Sequence, residues 1–475
     1  MTARNRMTSL ITMACSIIVL SGMVSSLAEA GAREQAKQIH DRIAGVPPSE
    51  SVLQSMADLI PSNPEGAAFI AMEDPAFYDV TLKNFAAPWT NEAMSKFVPL
   101  NDYIATVVGM VRDDQDFRKI LFEDVLYIGD PSLGLPPYSV SNNNHYSELE
   151  SRGISLRDNL IRVSQSSYNG LPSSATAGVI TSRASARAFF SAGTNRAMFR
   201  FTLINHMCND LEQVADVTLP TDRIRQDVSR SPGGDSRVFL NNCVGCHTGM
   251  DPMTQAFAYY DYRYDQNNDP DGELGRLVYN AVGTTDPVTG TRVQSKYHIN
   301  SATFEQGYVT PDDRWDNYWR QGANRRLGWD PTLPGSGNGA KSLGREFAHS
   351  QAFAQCQVKK VFENVCLRPP SDSDDRAKVN SMVVSFANQG YNLKQVFAES
   401  AVYCMGVTDD DTANTHTGAS PEIGTRCCGS HPAAGGLWRR VYRISSQHLR
   451  QLRRHCLQWS GSGNRGCVQF QTQRL

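Results

Sequence analysis

Five consecutive residues near the middle of the chain carry a definite chemistry: Cys243-Val244-Gly245-Cys246-His247, preceded by Asn241 and Asn242. Two thiols three residues apart can each form a thioether to one vinyl group of a porphyrin. A histidine directly after the second cysteine then lies under the iron and ligates it through an imidazole nitrogen. The pattern is therefore read as a covalent attachment site for one haem c, with Cys243 and Cys246 holding the ring and His247 as proximal ligand. Small Gly245 is expected to let the ring approach the backbone. Two competing chemistries need more than the sequence supplies. A thioredoxin-like redox pair expects a βαβ setting, and a zinc centre needs four ligands, yet no second Cys-x-x-Cys follows.

The N-terminus agrees with that reading. Arg4 and Arg6 precede an apolar run from Met7 to Leu27, and Ala28-Glu29-Ala30 has the form of an A-x-A cleavage site. This predicts a signal peptide over residues 1–30 and a mature chain from Gly31. The alternative is an uncleaved membrane anchor, against which the run carries five serines and two threonines. Cys15 follows Thr12-Met13-Ala14, a poor lipobox. No later segment is apolar enough to span a bilayer. Bacterial haem c is attached outside the cytoplasm, so a periplasmic or secreted location and haem attachment support each other.

The elements that must position the motif read as helices. With 475 residues the chain can hold two or three domains, and its net charge of −2 gives no reason to expect nucleic acid as a partner. Residues 31–220 read as an N-terminal helical domain. Within it, Ala32–Ile43 is a short helix, and Ile104, Val107, Val108 and Val111 recur at helical spacing behind Asn101 or Asp102 as N-cap. A second helix is expected to carry Phe117, Ile120, Leu121 and Val125. Residues 129–153 read as a loop with a solvated His145, and Ala184–Cys208 as one long helical stretch ending in His206. Residues 221–340 read as the haem module. A short helix, Ser236–Leu240, leads into the motif, and Phe257, Tyr259 and Tyr260 after it are candidates to wall the haem. The irregular segment 280–340, with Tyr297, Tyr308, Trp315, Trp319 and Trp329, is expected to wrap the haem or cap a cleft.

Residues 341–406 read as three helices. The first is apolar on two faces, with Phe347, Ala354, Val358, Val361 and Val365 on one and His349, Phe353 and Cys356 on the other, so it should be buried on both sides. Ser371 or Ser373 should cap the next helix, and Gly390 should close it. Cys356 and Cys366 are too far apart on one helix to pair with each other, about 15 Å at the helical rise. Pairing through Cys404 or Cys208 is the better expectation, and free buried thiols the alternative. From about residue 407 the composition changes. After Glu422 there is no Asp, Glu or Lys, but nine Arg and four Cys, which leaves −11 on residues 1–422. Residues 407–475 read as a disordered basic tail or as out-of-frame translation.

The sixth position on the iron is open to Met405, His298 or His349, in that order. Met253 is too near His247 to reach the far side. A methionine would raise the reduction potential and a histidine would lower it. Asp265, Asn267, Asp269, Asp271 and Glu273 place oxygen donors at alternate positions, as a calcium loop does. Pro270 breaks the EF-hand pattern counted from Asp265, and Val278 replaces the bidentate acid counted from Asn267, so a solvated acidic turn is preferred.

Three stretches resemble a group of secreted bacterial proteins, common in planctomycetes and marine proteobacteria, that embed one cytochrome c motif between uncharacterised helical domains. Ile43-Ala44-Gly45-Val46-Pro47-Pro48 resembles their early Gly-x-Pro-Pro segment. Cys243 to Asp251-Pro252, with Asp261 following, resembles their haem segment. Phe353-Ala354-Gln355-Cys356-Gln357-Val358-Lys359-Lys360-Val361, with Leu393-Lys394-Gln395-Val396-Phe397 and Ser400, resembles their C-terminal helical domain. The resemblance spans residues 40–406 and leaves out the tail. It implies an exported haem protein with no established substrate. The expected fold is mainly α, with helical domains around a cytochrome c-like module. Three functions fit: an exported cytochrome passing electrons to or from a partner protein or small molecule, a haem c enzyme of peroxidase or oxidase type with an open sixth position, and a secreted scaffold in which the haem is incidental.

Overall fold

The structure, a computed structural model, describes residues 27–405. Residues 1–26 of the expected signal peptide (1–30), with Cys15, and the Arg/Cys-rich tail lie outside the described residues. The described chain is mainly helical, as its apolar periodicity predicts. Helix α1 (Leu27–Ile43) packs with α2 (Glu50–Leu59) and α3 (Pro64–Met72). Asn63 caps α3 by accepting from Gly66 N. Helix α4 (Asp102–Arg112) starts where its sequence says it should, with Asn101 Oδ1 accepting from Ile104 N at 3.1 Å. Its residues 102–111 are all buried, so it runs through the centre of the core.

Several local expectations fail for tertiary reasons. Phe117–Leu121 is a 3-10 turn rather than a helix, and Val125 leads into strand β1 (Leu126–Gly129), which pairs antiparallel with β2 (Leu160–Val163). The supposed loop 129–153 contains helix α5 (Asn144–Ser151). His145 is not solvated but 4% exposed: its Nε2 accepts from Gly129 N at 2.9 Å, and its Nδ1 donates to Pro136 O at 2.7 Å. The long stretch 184–208 is two helices, α6 (Arg183–Phe189) and α7 (Arg196–Met207). Gly193 and Asn195 take positive φ between them, so the chain turns there.

Beyond the motif helix, α8 (Val244–Thr254), come two short antiparallel pairs, β3 (Tyr260–Arg263) with β4 (Arg276–Tyr279) and β5 (Arg314–Asp316) with β6 (Ser336–Asn338). Helix α9 (Gly339–Ala348) ends before Ser350, whose hydroxyl caps α10 (Gln351–Cys366) by accepting from Phe353 N. The single first helix expected to carry both Phe347 and Val365 is thus broken at His349–Ser350, so residues 341–405 hold four helices rather than three; residues on both faces of α10 are buried. Helix α11 (Ser373–Asn388) is capped by Asp372 rather than by either serine, because its carboxylate accepts from both Asp374 N and Asp375 N. Gly390 closes it at φ +66. Helix α12 (Leu393–Cys404) packs on α10, on α3 and on α1, so the C-terminal helices share one apolar core with the N-terminal ones. Two disulfides fix that arrangement: Cys208–Cys356 ties the end of α7 to α10, and Cys366–Cys404 ties α10 to α12. Among the described residues no helix is long and apolar enough to cross a membrane.

Two outcomes follow from this packing. Cys208→Ala, which opens a bridge between residues 148 apart, should lower unfolding stability by about 2–5 kcal/mol in urea titrations, an effect absent when both proteins are compared in reductant. Burial pulls the His145 pKa below its usual value, against the opposing bond to Pro136. Below about pH 6.5 the unfolded chain therefore takes up a proton that native His145 refuses. Stability should rise with pH through that window and fall as pH drops. His145→Gln should flatten the dependence of the urea midpoint on pH between about 5 and 7.

Candidate functional site

The motif sits on a helix start of mixed pitch. Ser236–Val238 makes one helical turn, Phe239–Cys243 widens into a π-turn, and α8 then continues from Val244. Single π-turns of this kind are frequent at functional sites. The turn places Cys243 in a small apolar cluster with Ile224, Val228, Phe239 and Val244. Cys246 lies one turn on. It is a free, partly exposed thiol whose Sγ faces Leu211 O at 3.5 Å. Burial, together with Glu212 and Asp210, pushes its pKa up to about 11. The two motif cysteines are thus not joined to each other. Gly245 does not leave its face to a ring as expected. A Cβ there would meet Ala215 and Val217 at 3.3 Å, so glycine serves the packing of the 215–217 loop on the helix. That loop is clamped by Asp216 N donating to Gly245 O at 2.9 Å and by Thr248 Oγ1 donating to Asp216 O at 2.7 Å.

His247 is oriented by a buried carboxylate. Asp251 stands four residues on, hence on the same helix face. Its Oδ1 lies 3.1 Å from His247 Nδ1, and Asp251 itself is fully buried. Arg196 from α7 grips it bidentately, Nε to Oδ1 at 2.7 Å and Nη2 to Oδ2 at 3.0 Å. Arg225 N donates to Oδ2 at 3.2 Å. Arg196 also holds Asp227 through two bonds of 2.6 and 3.0 Å, and Arg225 Nε lies 3.5 Å from the same carboxylate. Two guanidinium groups therefore balance two carboxylates. Burial would raise the Asp251 pKa, but Arg196, His247 and Arg225 outweigh it and hold the carboxyl well below the usual range. An ionised carboxylate only accepts, so His247 donates from Nδ1 to Asp251. The side chain is 16% exposed. A carboxylate on one ring nitrogen is the kind of contact that orients a metal-ligating histidine.

The aromatic-rich segment covers this helix. Trp319 packs so closely that a Cβ on Gly249 would come within 1.8 Å of its Nε1. Tyr297 Oη donates to Thr254 O at 3.1 Å at the far end of α8, and its ring lies under Arg225 at 4.8 Å. Arg230 bridges Phe304 at 4.3 Å and Phe239 at 5.0 Å. The residues expected to wall a haem, Phe257, Tyr259 and Tyr260, instead pack with Phe190, Tyr279 and Arg292. Met253 is a fully buried core residue.

The three sixth-ligand candidates are spread widely. Met405 caps α12, beside the Cys366–Cys404 bridge and the bond from Gln38 Nε2 to Cys404 O. His349 caps α9, with Nδ1 on Arg345 O at 2.8 Å and its ring 5.6 Å from Phe122. His298 belongs to the covering segment, directly after Tyr297, and its Nε2 is buried without a partner. The acidic turn satisfies itself: Asp265 accepts from Asn267 N and Asn268 N, and Asp269 from Glu273 N and Leu274 N. Among the described residues no group of three or more His, Cys, Asp or Glu converges on a metal position.

No protein-family model matches the chain, and no curated protein or solved structure matches it either.

The ion network generates a stability prediction. Asp251→Ala leaves Arg196 and Arg225 with one carboxylate between them, and should destabilise the protein by about 3–5 kcal/mol in denaturant titrations. Gly249→Ala, which drives a methyl group into Trp319, should cost about 1–3 kcal/mol in the same assay.

Proposed function

We propose that the chain is an exported mono-haem c-type cytochrome that transfers electrons in the periplasm, with thioethers at Cys243 and Cys246 and His247 Nε2 on the iron. The observation that supports this reading is the buried Asp251, whose carboxylate holds Nδ1 of His247 and leaves Nε2 as the nitrogen that would meet an iron. The apolar side chains of Val217 and Leu240, 65% and 57% exposed beside the motif, suit a position next to a porphyrin. When bound, the haem supplies a one-electron couple. The chain's own contribution is to orient the ligand and to tune it. A carboxylate on Nδ1 makes the imidazole more basic, which stabilises the oxidised form and lowers the potential. Cys243 is 3% exposed in a cluster with Phe239 and is disulfide-bonded in this structure, so thioether formation needs its reduced thiol before that cluster closes.

A second reading is a haem c enzyme with an open sixth position. It is favoured by the placement of Met405 and His349 among helices other than α8. Of the three candidates, His298 lies on the segment bonded to the end of α8, directly after Tyr297.

Optical spectra of protein made with a haem c maturation system decide between the readings. Electron transfer with His298 as sixth ligand predicts a low-spin wild type that turns high-spin in His298→Ala and is unchanged in Met405→Ala and His349→Ala. A wild type that is already high-spin and binds carbon monoxide when reduced supports the enzyme. Asp251→Asn should raise the reduction potential under either reading. An unchanged potential removes Asp251 from the tuning of the iron.

A further inference from the structure

Away from the motif, α4 and α7 enclose a polar cavity of about 10 Å³, lined by Tyr103, Ser185, Thr202, Asn205 and His206 among apolar neighbours. That is close to the smallest space that admits one water molecule. Two of its lining residues each carry a buried side-chain atom without a protein partner: Asn205 Oδ1 and His206 Nδ1. Asn205 and His206 are 2% and 1% exposed.

The hydrogen positions follow from the neighbours. Asn205 Nδ2 donates to Trp89 O at 3.1 Å, which fixes the amide and turns Oδ1 elsewhere as an acceptor. Tyr103 Oη lies 2.7 Å from His206 Nε2. Burial keeps the Tyr103 hydroxyl protonated, and burial together with Lys360 keeps the imidazole neutral. The hydroxyl has no other acceptor, so it donates to Nε2, and the ring proton sits on Nδ1. The cluster thus holds one orphan donor and one orphan acceptor. Thr202 Oγ1 donates to Met198 O, and Ser185 Oγ points to Met198 Sδ, so both hydroxyl oxygens can still accept.

We propose that this cavity is an interior hydration site for a single water molecule. The water accepts from His206 Nδ1, donates to Asn205 Oδ1, and gives its second proton to the Thr202 or Ser185 oxygen. Three bonds are typical of a conserved buried water. The chain Tyr103–His206–water–Asn205–Trp89 then ties α4, α7 and the turn at residues 87–90 through polar contacts at the centre of the core. This site is independent of the haem reading.

A crystal structure of the full chain, at a resolution that shows ordered water, tests it. The expected result is one peak within hydrogen-bonding distance of both His206 Nδ1 and Asn205 Oδ1, which persists in Ser185→Ala and disappears in His206→Phe. A dry cavity in the wild type, or a direct bond between the two orphan atoms, overturns the proposal. So does a peak that survives unchanged in His206→Phe. If that variant does not fold, the wild-type density alone decides.

Discussion

The contact on which the motif region depends is the grip of Arg196 on Asp251. A carboxylate taken wholly out of water is costly, and only a partner of opposite charge with matching geometry offsets the loss. Arg196 supplies both, with two parallel bonds to Asp251 and two more to Asp227. Because Asp251 stays ionised, its Oδ1 can only accept, and His247 is held through the proton on Nδ1. The same carboxylate takes the backbone N–H of Arg225, so the 224–228 segment is seated against α8 by the charge that orients the histidine. Replacing this network with apolar groups need not lose stability. Its value lies in direction: it turns Nδ1 of the imidazole toward Asp251.

The rest of the fold holds that network rigid. Arg196 opens α7, and the Cys208–Cys356 bridge pins the end of the same helix to α10. The opposite side of α8 is closed by Trp319 on Gly249 and by the 215–217 loop on Gly245. A Cβ at Gly249 would collide with Trp319, and one at Gly245 would press on the 215–217 loop. The aromatic-rich segment therefore works as a clamp along α8, with Tyr297 near one end and Phe304 near the other.

Much of this was legible in the sequence where the signal is local. Cys-x-x-Cys-His is five residues long, and Asn101, Gly390 and the apolar faces of α10 to α12 act within a turn or two. The pairing of His247 with Asp251 was not drawn from the sequence, although residues four apart share a helix face. Arg196, Arg225 and Asp227 were not legible, because nothing local marks an arginine whose partner lies 55 residues on. His145 was misread for the same reason: an Asn-rich stretch looks solvated until Gly129 N and Pro136 O are brought to its two nitrogens. The break at 190–195 was hidden by aromatic residues on both sides, whose helical spacing continues across a turn that Gly193 and Asn195 impose. The cysteine pairing followed from helix geometry in part, since the rise excluded a Cys356–Cys366 bridge and left Cys208 and Cys404 as partners.

The central claim is a covalent haem on Cys243 and Cys246, and the mass of the intact chain under denaturing conditions tests it most directly. The chain should be secreted from a host that carries a haem c maturation system and measured beside Cys246→Ser. The account predicts a mass increment of one haem that survives denaturation and acid extraction in the wild type, and its loss or weakening in the variant. A wild-type chain that carries no increment, or whose haem extracts completely into acid acetone, would contradict it.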